Sequence, residues 1–293
     1  MHNAPSATAR MNGAPPGAGA PEGEATFTPE QAQREANQRV WGSGGLLRRY
    51  GGRRLRPAER VLFDTHVDAL SGTVLELGCG GGRLTAHLIE KATSVTGVDL
   101  AADMIAYCRR TYPQAAFRQG DLRELSDFET GGWDAIVAGY AVIDVLTHDE
   151  RRAFLDGLHR LLRPSGLLIF SSHNLACAPL LRGPLRSINA TNPVSFASQV
   201  LRLPRSIRNR RRLRAWEQVG SDHAILNDAA HDFSLLHYYI TRDEQQRQLA
   251  AHGFELHECL RLDGEPVGPG ESASGWHELH YAATRVELPG AGA

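Results

Sequence analysis

Two carboxylates with a run of glycines between them carry the most legible chemistry in this chain. Glu76 lies in Val74-Leu75-Glu76-Leu77, Gly78-Cys79-Gly80-Gly81-Gly82 follows at once, and Asp99 closes Val95-Thr96-Gly97-Val98-Asp99. Glycines let a ligand lie against bare main chain, and they tolerate the backbone angles a tight turn needs. A carboxylate closing the second apolar run can accept both hydroxyls of a ribose, a charge-assisted pair of hydrogen bonds. Nucleoside recognition fits these residue types. The spacing narrows it further. Gly78, Gly80 and Gly82 spell G-x-G-x-G, and Arg83 stands where a dinucleotide fingerprint places its third glycine. The strict pyrophosphate-binding pattern therefore fails.

Such residues must be positioned by a buried strand, a turn, a helix and a second strand. The apolar patterning predicts strands at about 73–77, 94–98, 115–119, 133–138 and 166–172. It predicts helices at 29–50, interrupted at Gly42-Ser43-Gly44-Gly45, and at 57–69, 82–91, 101–111 and 149–162. Thr241-Arg242-Asp243-Glu244 has the form of a capping box opening a last helix. A final antiparallel pair is expected at 253–262 and 279–286. Alternation of strand and helix argues a doubly wound α/β sheet, which binds ligands at the carboxyl ends of its strands.

Further motifs extend the pattern: Ala101-Ala102-Asp103-Met104-Ile105, Phe117-Arg118-Gln119-Gly120-Asp121-Leu122, Trp133-Asp134-Ala135-Ile136-Val137-Ala138 and Leu161-Leu162-Arg163-Pro164-Ser165-Gly166-Leu167. With the glycine turn, they resemble the class I S-adenosylmethionine-dependent methyltransferases over about residues 55–175, and more loosely over 236–285. Ser165 departs from a glycine common in that family. The resemblance implies a Rossmann-like, doubly wound seven-stranded sheet with an antiparallel last strand. It implies S-adenosyl-L-methionine as cofactor, S-adenosyl-L-homocysteine as product, and no metal. It gives Glu76 the ammonium, Asp99 the ribose, Met104 the adenine face and Asp121 the adenine amino group. Gly78, Cys79, Gly80, Gly82, Leu100, Leu122 and Ala138 complete the expected cofactor contacts.

The chain of 293 residues has room for one sizeable core and a cap. Hydrophobic content of 42% and charged content of 22% are ordinary for a globular protein. A net charge of −1 gives no overall bias toward nucleic acid or membrane. Four scattered cysteines without a C-x-x-C pair favour a reducing, cytoplasmic setting. Residues 1–28 are expected to form a disordered tail, and 286–293 a second tail. Between them lie N-terminal helices at 29–70, a cofactor-binding core at 71–174, and a C-terminal helix and hairpin at 237–285. Residues 175–236 form a mostly helical insertion after the fifth strand, expected to be the acceptor lid.

Methyl transfer asks mainly for positioning and exclusion of water, and for a base where the acceptor carries a proton. His173, at the end of the fifth strand, is the expected base, against a purely structural strand-end histidine. Asp144 is the alternative, against a helix-face acid. Tyr140, His231, His237, Tyr238 and Tyr239 are expected at the acceptor, against a packed strand. Trp41 and Tyr50 are expected to close over the cofactor, or to pack in the core. Arg202, Arg205, Arg208, Arg210, Arg211, Arg212 and Arg214 crowd with no acid among them. They read as a solvated amphipathic helix, a site for an anionic acceptor, or a membrane-surface contact spanning Arg202–Arg214. No Asn/Asp-Pro-Pro-aromatic motif follows the fourth strand, where the chain reads Ala138-Gly139-Tyr140-Ala141. That lowers the expectation of base or glutamine methylation. The expected function is methylation of an oxygen or nitrogen on a small-molecule acceptor. The alternatives are an RNA methyltransferase using the arginine-rich insertion, and a non-catalytic cofactor-binding partner protein.

Overall fold

The structure, a computed structural model, describes residues 27–41, 54–180, 183–185 and 193–287. Residues 1–26 of the expected tail, the break at Gly42–Gly45, Tyr50 and the last residues from 288 lie outside the described residues, as do 181–182 and 186–192 of the insertion.

Helix α1 is Pro29–Trp41 and α2 is Pro57–Thr65, followed by one further turn at Val67–Leu70. Strand β1 is Thr73–Leu77, α3 is the short turn Thr85–Leu88, and β2 is Ser94–Asp99. Then come α4 Ala102–Thr111, β3 Ala116–Gln119 and β4 Trp133–Ala138. A 3-10 turn at Val142–Val145 leads to α5 His148–Leu161 and the long β5 Leu162–Asn174. Helix α6 is Pro193–Leu213. Strands β6 Gln218–Val219, β7 His223–Leu226 and β8 His237–Ile240 precede α7 Arg242–Ala251. Strands β9 Phe254–Arg261 and β10 Glu278–Arg285 end the fold.

The sheet is the expected mixed α/β sheet, with ten strands among the described residues where seven were anticipated. Strands β3, β2, β1, β4 and β5 are parallel neighbours, and β10 runs antiparallel between β5 and β9. The additional strands come from 218–240: the insertion contributes α6, β6 and β7, and β8 just beyond it completes a small antiparallel meander. Strand β8 pairs in parallel with His173 and Asn174 at the end of β5. Strand β10 already occupies one edge of β5 as far as His173. Strand β4 leaves the other edge at Ala138, opposite Phe170, so β8 takes the edge that β4 vacates. His173 thus has Glu278 and Tyr239 as its two cross-strand neighbours.

Apolar residues of β1, β4, β5 and β10 fill both faces of the sheet. One face packs Leu75, Ile136 and Leu168 against α5, and the other packs Val74, Ala135 and Leu167 against α2 and Leu88. Helix α5 begins with a full capping box: Glu150 N–H donates to Thr147 Oγ1 at 3.3 Å and Thr147 N–H to Glu150 Oε2 at 2.9 Å. At α7 only half of the expected box forms. Glu244 N–H donates to Thr241 Oγ1, while the Glu244 carboxylate pairs with Arg247. Among the described residues no helix is long and apolar enough to cross a membrane.

Candidate active site

The glycine turn begins where β1 ends. Gly78, Gly80 and Gly82 all adopt positive φ, the left-handed region where a side chain is strained. The turn is tied to β2, because Cys79 N–H donates to Val98 O at 3.0 Å and Gly80 N–H to Asp99 Oδ2 at 2.8 Å. The second Asp99 oxygen accepts from Ala101 N–H at 2.9 Å. Burial raises the Asp99 carboxyl above its ordinary range in spite of these donors. Glu76 is buried beneath the turn and accepts a hydrogen bond from the Thr85 hydroxyl. Burial pushes its carboxyl up to about 7, against the opposing pull of Thr85 and Arg83.

These residues line a cavity of about 480 Å³, within the ordinary range for small-molecule sites. One half is built by Glu76, Gly78, Cys79, Gly80, Asp99, Leu100, Met104, Asp121 and Leu122. Burial works to raise the Asp121 carboxyl, but Arg123 donates to both of its oxygens and holds it low. Arg123 also pairs with Glu150, which in turn meets Arg34 of α1 at 2.6 Å. Helix α1 covers this side. Asn37 donates to Val145 O and Leu236 O, both at 2.9 Å, and accepts from Leu236 N–H. Trp41 lines the cavity and meets the His231 ring edge to face.

The other half gathers Tyr140, His173, Asp228, His231, His237, Tyr239, His277 and Glu278. Asp144 is fully buried and accepts from His173 Nδ1 at 2.7 Å and from His173 N–H at 2.6 Å. Its other oxygen accepts from Arg151 at 2.6 Å and from Ser172 at 2.7 Å. Burial lowers the His173 imidazole, but Asp144, with Asp228 and Glu278 beyond it, wins and raises it to about 9. A second imidazole–carboxylate pair faces the first: His237 Nδ1 donates to Asp228 Oδ2 at 2.8 Å, as does the Tyr239 hydroxyl. Asp228 is buried, yet His237, His173 and Tyr239 hold it well below the usual carboxylate range. The His173 and His237 rings stack at 4.8 Å. Two guanidinium groups lie over the Tyr140 ring, Arg56 at 3.8 Å and Arg83 at 4.6 Å from its centre.

Four sequence expectations are corrected. Asp144 does not reach the cavity, because Arg151 and Ser172 hold it behind His173. Tyr238 also lies off the cavity: successive strand residues face opposite ways. His237 and Tyr239 turn in, and Tyr238 turns onto Arg151 and His148. Gly82 does not line the cavity; it packs against the Tyr112 ring, where a Cβ would stand 2.3 Å away. Ala138 is buried in the sheet, and its neighbour Gly139 reaches the cavity instead. Sequence reasoning missed Asn37, Arg56, Asp228, His277 and Glu278. The one available signal was a charged residue, Glu278, opening the run Leu279–Ala283, which is apolar but for His280.

A glycine turn at the carboxyl end of β1 and an acid at the end of β2 are the arrangement of Rossmann-like, nucleoside-binding folds. Residues 74–166 match the methyltransferase domain family. A putative methyltransferase YqeM of Bacillus subtilis (strain 168) is 32% identical over 107 residues, covering 35% of this chain and 43% of that protein. A ubiquinone biosynthesis O-methyltransferase of Xanthomonas oryzae pv. oryzae (strain PXO99A) is 28% identical over 125 residues, covering 41% and 51%. The chain spans about half the length of these curated relatives. The fold is similar to a S-adenosylmethionine-dependent methyltransferase from Clostridium acetobutylicum ATCC 824, with TM-score 0.54 at 12% identity over 78% of this chain and 90% of that one. Over residues 74–166 the chain carries a methyltransferase domain, set in a fold shared with S-adenosylmethionine-dependent methyltransferases.

Proposed function

We propose that the chain moves a methyl group from S-adenosylmethionine to an oxygen or nitrogen of a small-molecule acceptor, leaving S-adenosylhomocysteine. One observation carries this reading: the glycine turn and the His173 network open into the same cavity. The residues on the cofactor side suit the ligand. The turn leaves main chain bare at Gly80, and Glu76 is a buried carboxylate whose ionised form an ammonium would stabilise. Asp99 keeps lone pairs for the ribose hydroxyls beside the backbone donors it already holds. Met104 and Leu122 offer apolar surface to the adenine, and Asp121 an acid beside it.

Bound there, the cofactor supplies a methyl group on a sulfonium, which leaves by in-line displacement. The chain's own work is to orient the acceptor, shed water and take up a proton. His173 is the base in this reading. Asp144 fixes its ring through Nδ1 and leaves Nε2 for the acceptor. With the imidazole raised to about 9, its proton-accepting form grows as pH rises toward that value. Tyr140, His231 and Tyr239 line the acceptor pocket, and α1 excludes solvent.

Incubating the protein with methyl-labelled cofactor and cell extract tests the reading. A labelled small molecule identified by mass spectrometry supports it. Label confined to RNA supports the RNA alternative, and no label from folded, cofactor-bound protein supports a non-catalytic partner.

A further inference from the structure

We propose that the outer face of α6 docks this protein onto an anionic lipid surface. The helix has two unlike faces. Ser206 and Leu213 are buried, Asn209 donates to Asp232 O at 2.9 Å, and Arg210 is satisfied by Glu217 and Asn227 O. On the opposite side Leu201, Arg205, Arg208 and Arg212 follow at i, i+4, i+7 and i+11, so they form one stripe. Leu201 is 82% exposed, Val200 and Phe196 are exposed on the adjoining side of the helix, and Arg211 flanks the basic half. Among the described residues none of Arg205, Arg208, Arg211 and Arg212 pairs with a carboxylate, and the sequence has no acid between Pro193 and Trp216. The positive charge is crowded as well: partial burial, and then Arg39 of α1 and Arg208, lower the Arg212 guanidinium below its ordinary value against the weaker opposing pull of Glu35.

Exposed aliphatic side chains followed by unpaired arginines match a surface of anionic headgroups over an acyl boundary. RNA fits less well, because single strands need several aromatic stacking platforms and Phe196 is the one aromatic residue between Pro193 and Ala215. The helix is joined to the cavity. Arg202 pairs with Asp232 at 3.6 Å, and the neighbouring His231 lines the pocket. Docking would bring that wall of the cavity to the lipid boundary. Docking itself needs no methyl transfer; delivery of an amphiphilic acceptor from the lipid does rest on the transfer proposed above.

The test is co-sedimentation of the full chain with phosphatidylcholine vesicles, with and without about one-third phosphatidylglycerol. The expected result is binding at least about tenfold greater to the anionic vesicles, lost near 1 M salt, where charges are screened within about 3 Å. Replacing Arg205, Arg208, Arg211 and Arg212 together by Gln should weaken binding on the order of several-hundred-fold. Leu201→Ser should weaken it about tenfold or less, without changing its salt dependence. Retained S-adenosylhomocysteine binding in these variants reports an intact fold and separates this test from the cofactor assignment. Equal binding to neutral vesicles, no binding to either, or retention on RNA alone overturns the proposal. Should the fourfold variant fail to fold, the salt and lipid dependence of the unaltered chain still decides.

Discussion

The two halves of the cavity are assembled in different ways. The cofactor half comes from residues 76–122, almost all at the ends of three adjacent parallel strands. The half around His173 draws on residues 140, 173, 228–239 and 277–278, brought together only because β8 and β10 flank the end of β5. The first half is preorganised by backbone donors and glycine angles. The second is preorganised by two buried imidazole–carboxylate pairs. A substitution should therefore damage one half and spare the other, and the following outcomes can break or sharpen that division.

The largest effect is expected from His173→Ala. Turnover on the true acceptor should fall about 10²–10⁴-fold, while S-adenosylhomocysteine affinity stays within about threefold. An equal loss in both would merge the two halves. Asp144→Ala should cost about 3–5 kcal/mol of stability in denaturant unfolding, because it strands the fully buried Arg151. A cost under about 1 kcal/mol would mean that Arg151 finds water or another partner.

Gly82→Ala should cost about 1–3 kcal/mol through its positive φ and the Tyr112 ring, with cofactor affinity nearly unchanged. Lost affinity at normal stability would return Gly82 to the ligand contacts. The smallest effect is on pH dependence. The Glu76 carboxyl lies near 7 in the free protein, and only its ionised form suits an ammonium. Cofactor affinity in calorimetry should be flat above pH 7 and weaken below it, by up to about tenfold per unit. Turnover should follow the opposite half: it should climb with pH toward about 9 as His173 loses its proton, and His173→Ala should abolish that limb.

The same division explains what the sequence made legible. Glu76, Asp99, Met104 and Asp121 lie within one βαβαβ run, so local patterning places them at neighbouring strand ends. Strand β4, at 133–138, could be read to the residue. His173 was found because it ends a strand. Asp228 and Glu278 were not, since the pairing of Asp228 with His237, or of Glu278 with Arg56, depends on strand order and not on spacing. Tyr238 was misplaced because the direction of an isolated tyrosine pair depends on strand register. The meander at 218–240 went unread as strands. Its segments are short, and β8 gains its pairing only where β4 has ended.

Titration of S-adenosylhomocysteine into the chain and into Asp99→Ala, followed by calorimetry, tests the central claim most directly. The account predicts one-to-one binding to the unaltered chain and a loss of at least about 100-fold in the variant, since Asp99 serves both the turn and the ribose. No heat from folded protein, or equal affinity in the two, would contradict it.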